Sequence, residues 1–212
     1  MVSLDIFSDP ICPWCLIGKT KLDRALAAHE GETVFAIRWH PFQLNPSMPA
    51  EGMGRQEYLD LKFGGRDRAN QIYGGIAAAA DEAGVEIDFS AITRTPNTLD
   101  AHRLIHWAEI EGAQTRVVDA LFNAYFREGR DIGDREVLAD IADSAGLDAA
   151  MVQRLFATDA DIDEIRSRDA TAREMGIEGV PCFIVAGKHA VPGAQATELW
   201  TKVIDELASA TT

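Results

Sequence analysis

Cys12-Pro13-Trp14-Cys15 stands between an apolar stretch, Val2-Ser3-Leu4-Asp5-Ile6-Phe7, and a helix-like run from Leu16 to Ala28. A strand that enters a helix through two cysteines fixes both a local topology and a chemistry. Side chains three apart on one helix turn lie roughly 5–6 Å from each other, within the span of a disulfide. Cys12 falls where the unpaired amides and the positive end of the helix dipole favour an anion, which lowers its pKa from about 8.5 and makes it the nucleophile. Cys15, one turn deeper and covered, is the resolving thiol that releases a mixed disulfide.

Composition narrows the setting. A chain of 212 residues with 47% apolar content is long enough to bury one sizeable core. No stretch approaches the roughly 18 consecutive apolar residues of a membrane span, and residues 1–12 show neither a positive n-region nor an apolar h-region. The expectation is a soluble, cytoplasmic protein. Three cysteines in a reducing compartment point to a catalytic or redox-sensing pair rather than a disulfide framework. The net charge of −14, from 34 acidic and 20 basic residues, disfavours nucleic acid and anionic membranes as partners.

Residues 2–7 and 33–39 read as strands, with the helix between them completing a strand–helix–strand unit. From about residue 55 to 176 the pattern is helical only. Ala101, Leu104, Ile105 and Ala108 share one spacing, as do Val117, Val118, Leu121, Phe122 and Tyr125. Asp134 and Asp148 are candidate caps, and a further helix runs from about Asp161 to Gly176. Strands return at Cys182–Val185 and His189–Val191 around a turn at Gly187-Lys188, followed by a helix from about Ala196 to Ala208. The fold class is α/β. Residues 1–42 and 177–212 are expected to form one sheet domain, interrupted by a helical insertion at 43–176.

Gly179-Val180-Pro181 leads into the third strand, a place where proline is tolerated at the first position or in a special turn. A cis Val180–Pro181 bond fits there, although spacing alone cannot establish it. With Cys-Pro-Trp-Cys after the first strand, Val-Pro before a late hairpin and helices between, the chain resembles the thioredoxin superfamily and, within it, the DsbA family. Ser8-Asp9-Pro10-Ile11-Cys12-Pro13-Trp14-Cys15, Pro96-Asn97-Thr98-Leu99-Asp100-Ala101-His102-Arg103-Leu104 and Gly193-Ala194-Gln195 resemble its cytoplasmic FrnE-like branch. The resemblance implies a thioredoxin fold with a large helical insertion. It also implies that Cys12 attacks, that Cys15 resolves, and that Val180 and Pro181 present backbone groups to substrate. Ala194 and Gln195 are carried along as cleft residues. Periplasmic members carry histidine where this chain has Trp14. Indole lacks the charge that helps stabilise the thiolate, so Cys12 is expected to be less acidic, and the couple less oxidising, than the periplasmic enzyme's pKa of about 3.5 and potential of about −120 mV.

Other residues weigh against competing chemistries. C-x2-C also opens zinc sites, but neither a second pair nor paired histidines complete one, so no metal is expected. Cys182 should point away from the face of Pro181 and sit inert in the core. His102 and His106, one turn apart, are read as packing or surface residues, and His40 as a residue near the entry to the insertion. Trp39 and Phe42 are assigned to the core, and Trp14 to the surface. The function expected is a thiol–disulfide oxidoreductase acting on protein or small-thiol disulfides, with no bound cofactor, glutathione or another thiol available as co-substrate, and a homodimer left open. A glutathione-dependent isomerase or transferase of the kappa or hydroxychromene-carboxylate isomerase type is the alternative, although those proteins typically place serine at the attacking position. A peptide-binding chaperone module is the second.

Overall fold

A computed structural model describes residues 1–29 and 35–210. Strand β1 (Val2–Ser8) runs into helix α1 (Pro13–Ala28), and β2 (Phe35–Pro41) returns parallel to β1, with Leu4 opposite Ile37 and Ile6 opposite Trp39. Residues 33 and 34 of the expected second strand lie outside the described residues, and β2 runs two residues further than expected, to Pro41. The extension is physically simple: β2 is an edge strand, where a proline forfeits no ladder donor.

After the insertion, β5 (Cys182–Val185) pairs antiparallel with β1, and β6 (His189–Pro192) pairs antiparallel with β5, giving the order β2-β1-β5-β6. The hairpin turn centres on Ala186-Gly187, not on Gly187-Lys188 as expected. Both residues have positive φ, 54° and 65°, in a three-residue loop closed by Lys188 N donating to Val185 O at 3.1 Å. Helix α9 (Thr197–Ala210) closes the fold by packing along α1.

Within the insertion lie α2 (Arg55–Phe63), α3 (Arg66–Glu82), α4 (Leu99–Trp107), α5 (Gln114–Phe126), α6 (Arg135–Ser144), α7 (Ala149–Phe156) and α8 (Ile162–Glu174). Asp134 and Asp148 cap as expected, accepting from Glu136 N at 2.8 Å and Met151 N at 2.9 Å. The expectation of helices alone needs one correction: β3 (Met53–Gly54) and β4 (Arg94–Thr95) pair antiparallel, joining the start of α2 to the segment before α4. Two-residue strands carry no alternation, so periodicity could not reveal them. No described helix is long and apolar enough to cross a membrane.

Side chains alternate across the sheet. Leu4 and Ile6 face α1 and α9 in a core that includes Leu22, Ala25, Phe183, Trp200 and Ile204 and continues into the insertion through Val117, Leu121 and Phe122. Trp200 is wholly buried and meets Phe183 edge-on at 4.8 Å. At about 25 cal/mol/Å², burying an aromatic of that size contributes several kcal/mol. Phe7 faces the other way, into a smaller cluster with Phe42, Ala172, Ile177 and Cys182.

Candidate active site

The turn from β1 into α1 places the two cysteines. Cys12 is the N-cap of α1, in extended conformation, and its carbonyl accepts from Cys15 N at 3.1 Å and Leu16 N at 3.3 Å. Pro13 occupies the first helical position, where a missing N–H costs nothing. All three cysteines are free thiols. Cys12, expected to attack, is buried as deeply as Cys15, at 3% and 2% exposed, whereas Trp14 between them is 41% exposed. Burial pushes the Cys15 thiol well up, and the neighbouring Cys12 sulfur pushes in the same direction.

Facing the pair is the loop before β5. The Val180–Pro181 bond is cis, and the Cys12 thiol donates to Val180 O at 3.6 Å. Pro181 is held from behind. Its carbonyl accepts from Gly193 N at 2.8 Å, Gln195 N donates to Gly193 O at 3.0 Å, and Gln195 Nε2 donates to Pro192 O at 2.6 Å. Ala194 packs against Gly18 of α1. A methyl group built on Gly18 would lie 3.0 Å from Pro181 Cγ and 3.3 Å from Ala194 Cα. Gly18 was not singled out from sequence; what requires a glycine is the close approach of helix and loop, a tertiary contact invisible in a local pattern.

The insertion carries a cation set among aromatic rings. Arg55 lies over the Tyr73 ring at 4.9 Å and the Tyr58 ring at 5.8 Å, and donates to Thr95 Oγ1 at 3.4 Å. Burial raises the Tyr73 phenol, and Arg55 opposes the rise. No carboxylate pairs with Arg55 within 4.0 Å among the described residues.

Beneath the loop is a buried polar group. Asp9 is fully buried; its carbonyl accepts from Cys12 N at 2.9 Å, and its carboxyl accepts from Leu44 N at 2.7 Å and Ile11 N at 3.4 Å. Desolvation raises its pKa to about 7 despite those amides. His102 Nε2 lies 3.8 Å from Asp9 Oδ1 with no hydrogen-bond partner, and burial lowers that imidazole to about 4. His102 is thus an interior packing residue. His106 is turned elsewhere, accepting at Nδ1 from Arg168, and the two do not form a pair.

Cys182 lies in the smaller cluster beyond the sheet, 5% exposed, with its thiol raised by burial. It is paired with Phe7 in the ladder and belongs to a different core cluster from Cys12 and Cys15. His40 is bonded to Asp5 and Arg168, in that same far layer of the sheet, not at the cysteines. Trp39 and Phe42 are core residues, 3% and 2% exposed.

The chain is similar to known proteins along nearly its whole length. Over 208 residues the chain is 29% identical to "Uncharacterized protein YwbO" of Bacillus subtilis (strain 168), covering 97% of this chain and 96% of that one. The crystal structure of the probable DsbA oxidoreductase SCO1869 from Streptomyces coelicolor superposes with a TM-score of 0.86 and 29% identity, over 99% of this chain and 91% of that chain. The cytosolic disulfide reductase DsbM from Pseudomonas aeruginosa, solved with GSH, shares the fold at a TM-score of 0.68 and 18% identity, over 98% and 99% of the two chains. A DSBA-like thioredoxin domain matches residues 3–205, and the chain belongs to that family.

Proposed function

We propose that this protein is a thiol–disulfide oxidoreductase whose reacting group is the Cys12–Cys15 dithiol. The Cys12 thiolate attacks a substrate disulfide, one substrate sulfur leaves as a thiolate and takes up a proton, and Cys12 becomes a mixed disulfide. Cys15 then attacks Cys12, the second substrate thiol leaves, and the Cys12–Cys15 disulfide remains. Two equivalents of a small thiol such as glutathione, oxidised to its disulfide, return the dithiol. The observation that carries this reading is the placement of Cys12 at the helix N-cap against the Val180 carbonyl, with Cys15 behind it. Burial keeps Cys15 protonated until the mixed disulfide forms, which separates the attacking from the resolving thiol. Val180 and Pro181 are the backbone surface along which the substrate lies.

The substrate is slim. With Cys12 3% exposed, an extended peptide or a small-thiol disulfide reaches the sulfur more readily than the face of a folded protein. Arg55, lacking a carboxylate partner, offers a counter-charge to an acidic thiol such as glutathione in this reading. The DsbM relative is a cytosolic reductase solved with GSH, which supports a cytoplasmic reductase recycled by glutathione.

The test is the reduction potential of the couple, equilibrated against glutathione buffers and read by mass after alkylation. A reversible two-electron transition within or below the cytosolic poise, roughly −220 to −320 mV, is expected. A transition near the periplasmic enzyme's value, about −120 mV, would make it an oxidant, and the absence of any transition would refute the assignment.

A further inference from the structure

Behind the sheet, on the face away from the dithiol, β1, β2, β5 and α8 enclose a cavity of about 390 Å³. Phe7, Ile184 and Met175 make its apolar walls, and Arg168, His40 and Asp5 its polar end. Phe7 stacks on the His40 ring at 4.8 Å, so the apolar and polar parts meet along one flat surface. The volume lies at the lower end of the range for small-molecule sites.

The polar end is an incomplete charge arrangement. Arg168 donates from Nη2 to His40 Nδ1 at 3.1 Å and from Nη1 to His106 Nδ1 at 2.9 Å. A ring nitrogen that accepts from a guanidinium carries no proton, so His40 is protonated at Nε2 and donates there to Asp5 Oδ1 at 2.8 Å. The Asp5 carboxylate is therefore engaged, with Arg38 Nε also approaching it at 3.7 Å. The carboxylate nearest to Arg168 is Glu109, at 4.0 Å. Two of the five guanidinium N–H groups point at imidazole nitrogens, and the one ion pair of Arg168 among the described residues is the long contact to Glu109. A partly buried arginine whose carboxylate stands at that distance keeps donors for a second, closer anion.

We propose that this cavity binds a small apolar monocarboxylate, its carboxylate on Arg168 and its hydrocarbon between Phe7, Ile184 and Met175. A second carboxylate at the far end of the ligand would be set among those apolar walls, which selects against a dianion. Met175 and Ile184 also line a second cavity, of about 530 Å³, that reaches Val180 and Pro181, so a longer acyl chain has room toward the redox loop. The site is separate from the one proposed for disulfide exchange, and the two stand or fall independently.

Isothermal titration with decanoate tests it, using sebacate as the dianion of equal length. One saturable site for decanoate is expected, weakened at least tenfold in Arg168→Met and for sebacate, and unchanged in Cys12→Ser. Should Arg168→Met fail to fold, Met175→Glu, at an exposed rim position, serves in its place by setting a carboxylate against the hydrocarbon. Absence of saturable binding would overturn the proposal, as would sebacate binding as tightly as decanoate. Binding that survives both Arg168→Met and Met175→Glu, or is lost on Cys12→Ser, would place the ligand elsewhere and equally overturn it.

Discussion

Gly18→Ala separates the stability of α1 from the placement of the redox loop. In a helix interior, alanine is favoured over glycine by about 1 kcal/mol. At Gly18 the added methyl meets Pro181 Cγ at 3.0 Å and the Ala194 backbone at 3.3 Å, both too close to be accepted without movement. Overpacking of this kind costs about 1–3 kcal/mol. The sum is a change between nothing and about 2 kcal/mol of destabilisation, or at most several degrees in Tm for a chain of this size. The functional effect should be larger, because the atom pushed is in the proline ring next to Val180, whose carbonyl meets the Cys12 thiol. The contacts call for a shift of a few tenths of an ångström, and since about 1 Å of misplacement can cost about a hundredfold in rate, a several-fold loss follows.

The assay is the rate of Cys12-dependent exchange with oxidised glutathione, measured beside urea unfolding. Gly74→Ala is the internal standard, since a methyl on that helical glycine meets nothing within 4 Å and should simply stabilise by about 1 kcal/mol. We expect Gly18→Ala to fold, to be less stable than Gly74→Ala, and to exchange several-fold more slowly than the wild type. If Gly18→Ala is as stable as Gly74→Ala and exchanges at the wild-type rate, the loop is not wedged against α1 and the reasoning fails.

Cys15→Ser should accumulate a mixed disulfide with glutathione that intact-mass measurement detects, and the adduct should vanish when Cys12→Ser is added; an adduct persisting on Cys182 would contradict its burial. Arg103 is fully buried and donates to the carbonyls of Leu155, Thr158 and Ala160 at the end of α7, so Arg103→Met should lower urea-unfolding stability by about 3–5 kcal/mol by leaving those acceptors unpaired. Asp9 and His102 should give opposite pH dependences of stability. Asp9, raised to about 7, contributes stability that is lost as pH rises through 7, while His102, lowered from 6.5 to about 4, makes the fold lose stability as pH falls from 6.5 to 4. Between about pH 4 and 6.5 the two cancel, so Asp9→Asn should expose an acid-side loss of about 3 kcal/mol that the wild type lacks, measured by urea titration at stepped pH.

The Cys-Pro-Trp-Cys turn at the start of a helix was legible because its information is local. Strand alternation, a proline at the first helical position and a three-residue spacing all lie within residues 2–28, and the structure repeats that order. The capping aspartates were legible for the same reason. Gly18, Arg103 and Asp9 were not, since each owes its role to atoms more than thirty residues away: Pro181 and Ala194, the end of α7, and the amide of Leu44. Asp9 left one trace that could have been followed, an acid set among apolar residues just ahead of Pro10-Ile11-Cys12, where an unpaired carboxyl would be costly to bury. Arg103 left a weaker one, a cation placed on the apolar stripe beside Leu104 and Ile105.

Those long-range polar contacts determine how the redox turn is held. The Asp9 carboxyl accepts amides from two separate segments: Ile11 on the cysteine turn and Leu44 just past β2. One residue earlier, Gln43 N donates to Asp169 Oδ1 at 2.6 Å, and Arg173 on α8 binds both Asp169 and the Gln43 carbonyl. Trp39 of β2 is tied in turn to Gln114 and Thr115 on α5. Each is a buried or half-buried hydrogen bond whose loss leaves a donor or acceptor without water, at about 1–3 kcal/mol. Together they couple the geometry of Cys12 to helices far along the chain. The sheet and the insertion should therefore exchange their core amides with a common protection, and a trimmed sheet lacking residues 43–176 should not hold the dithiol in place.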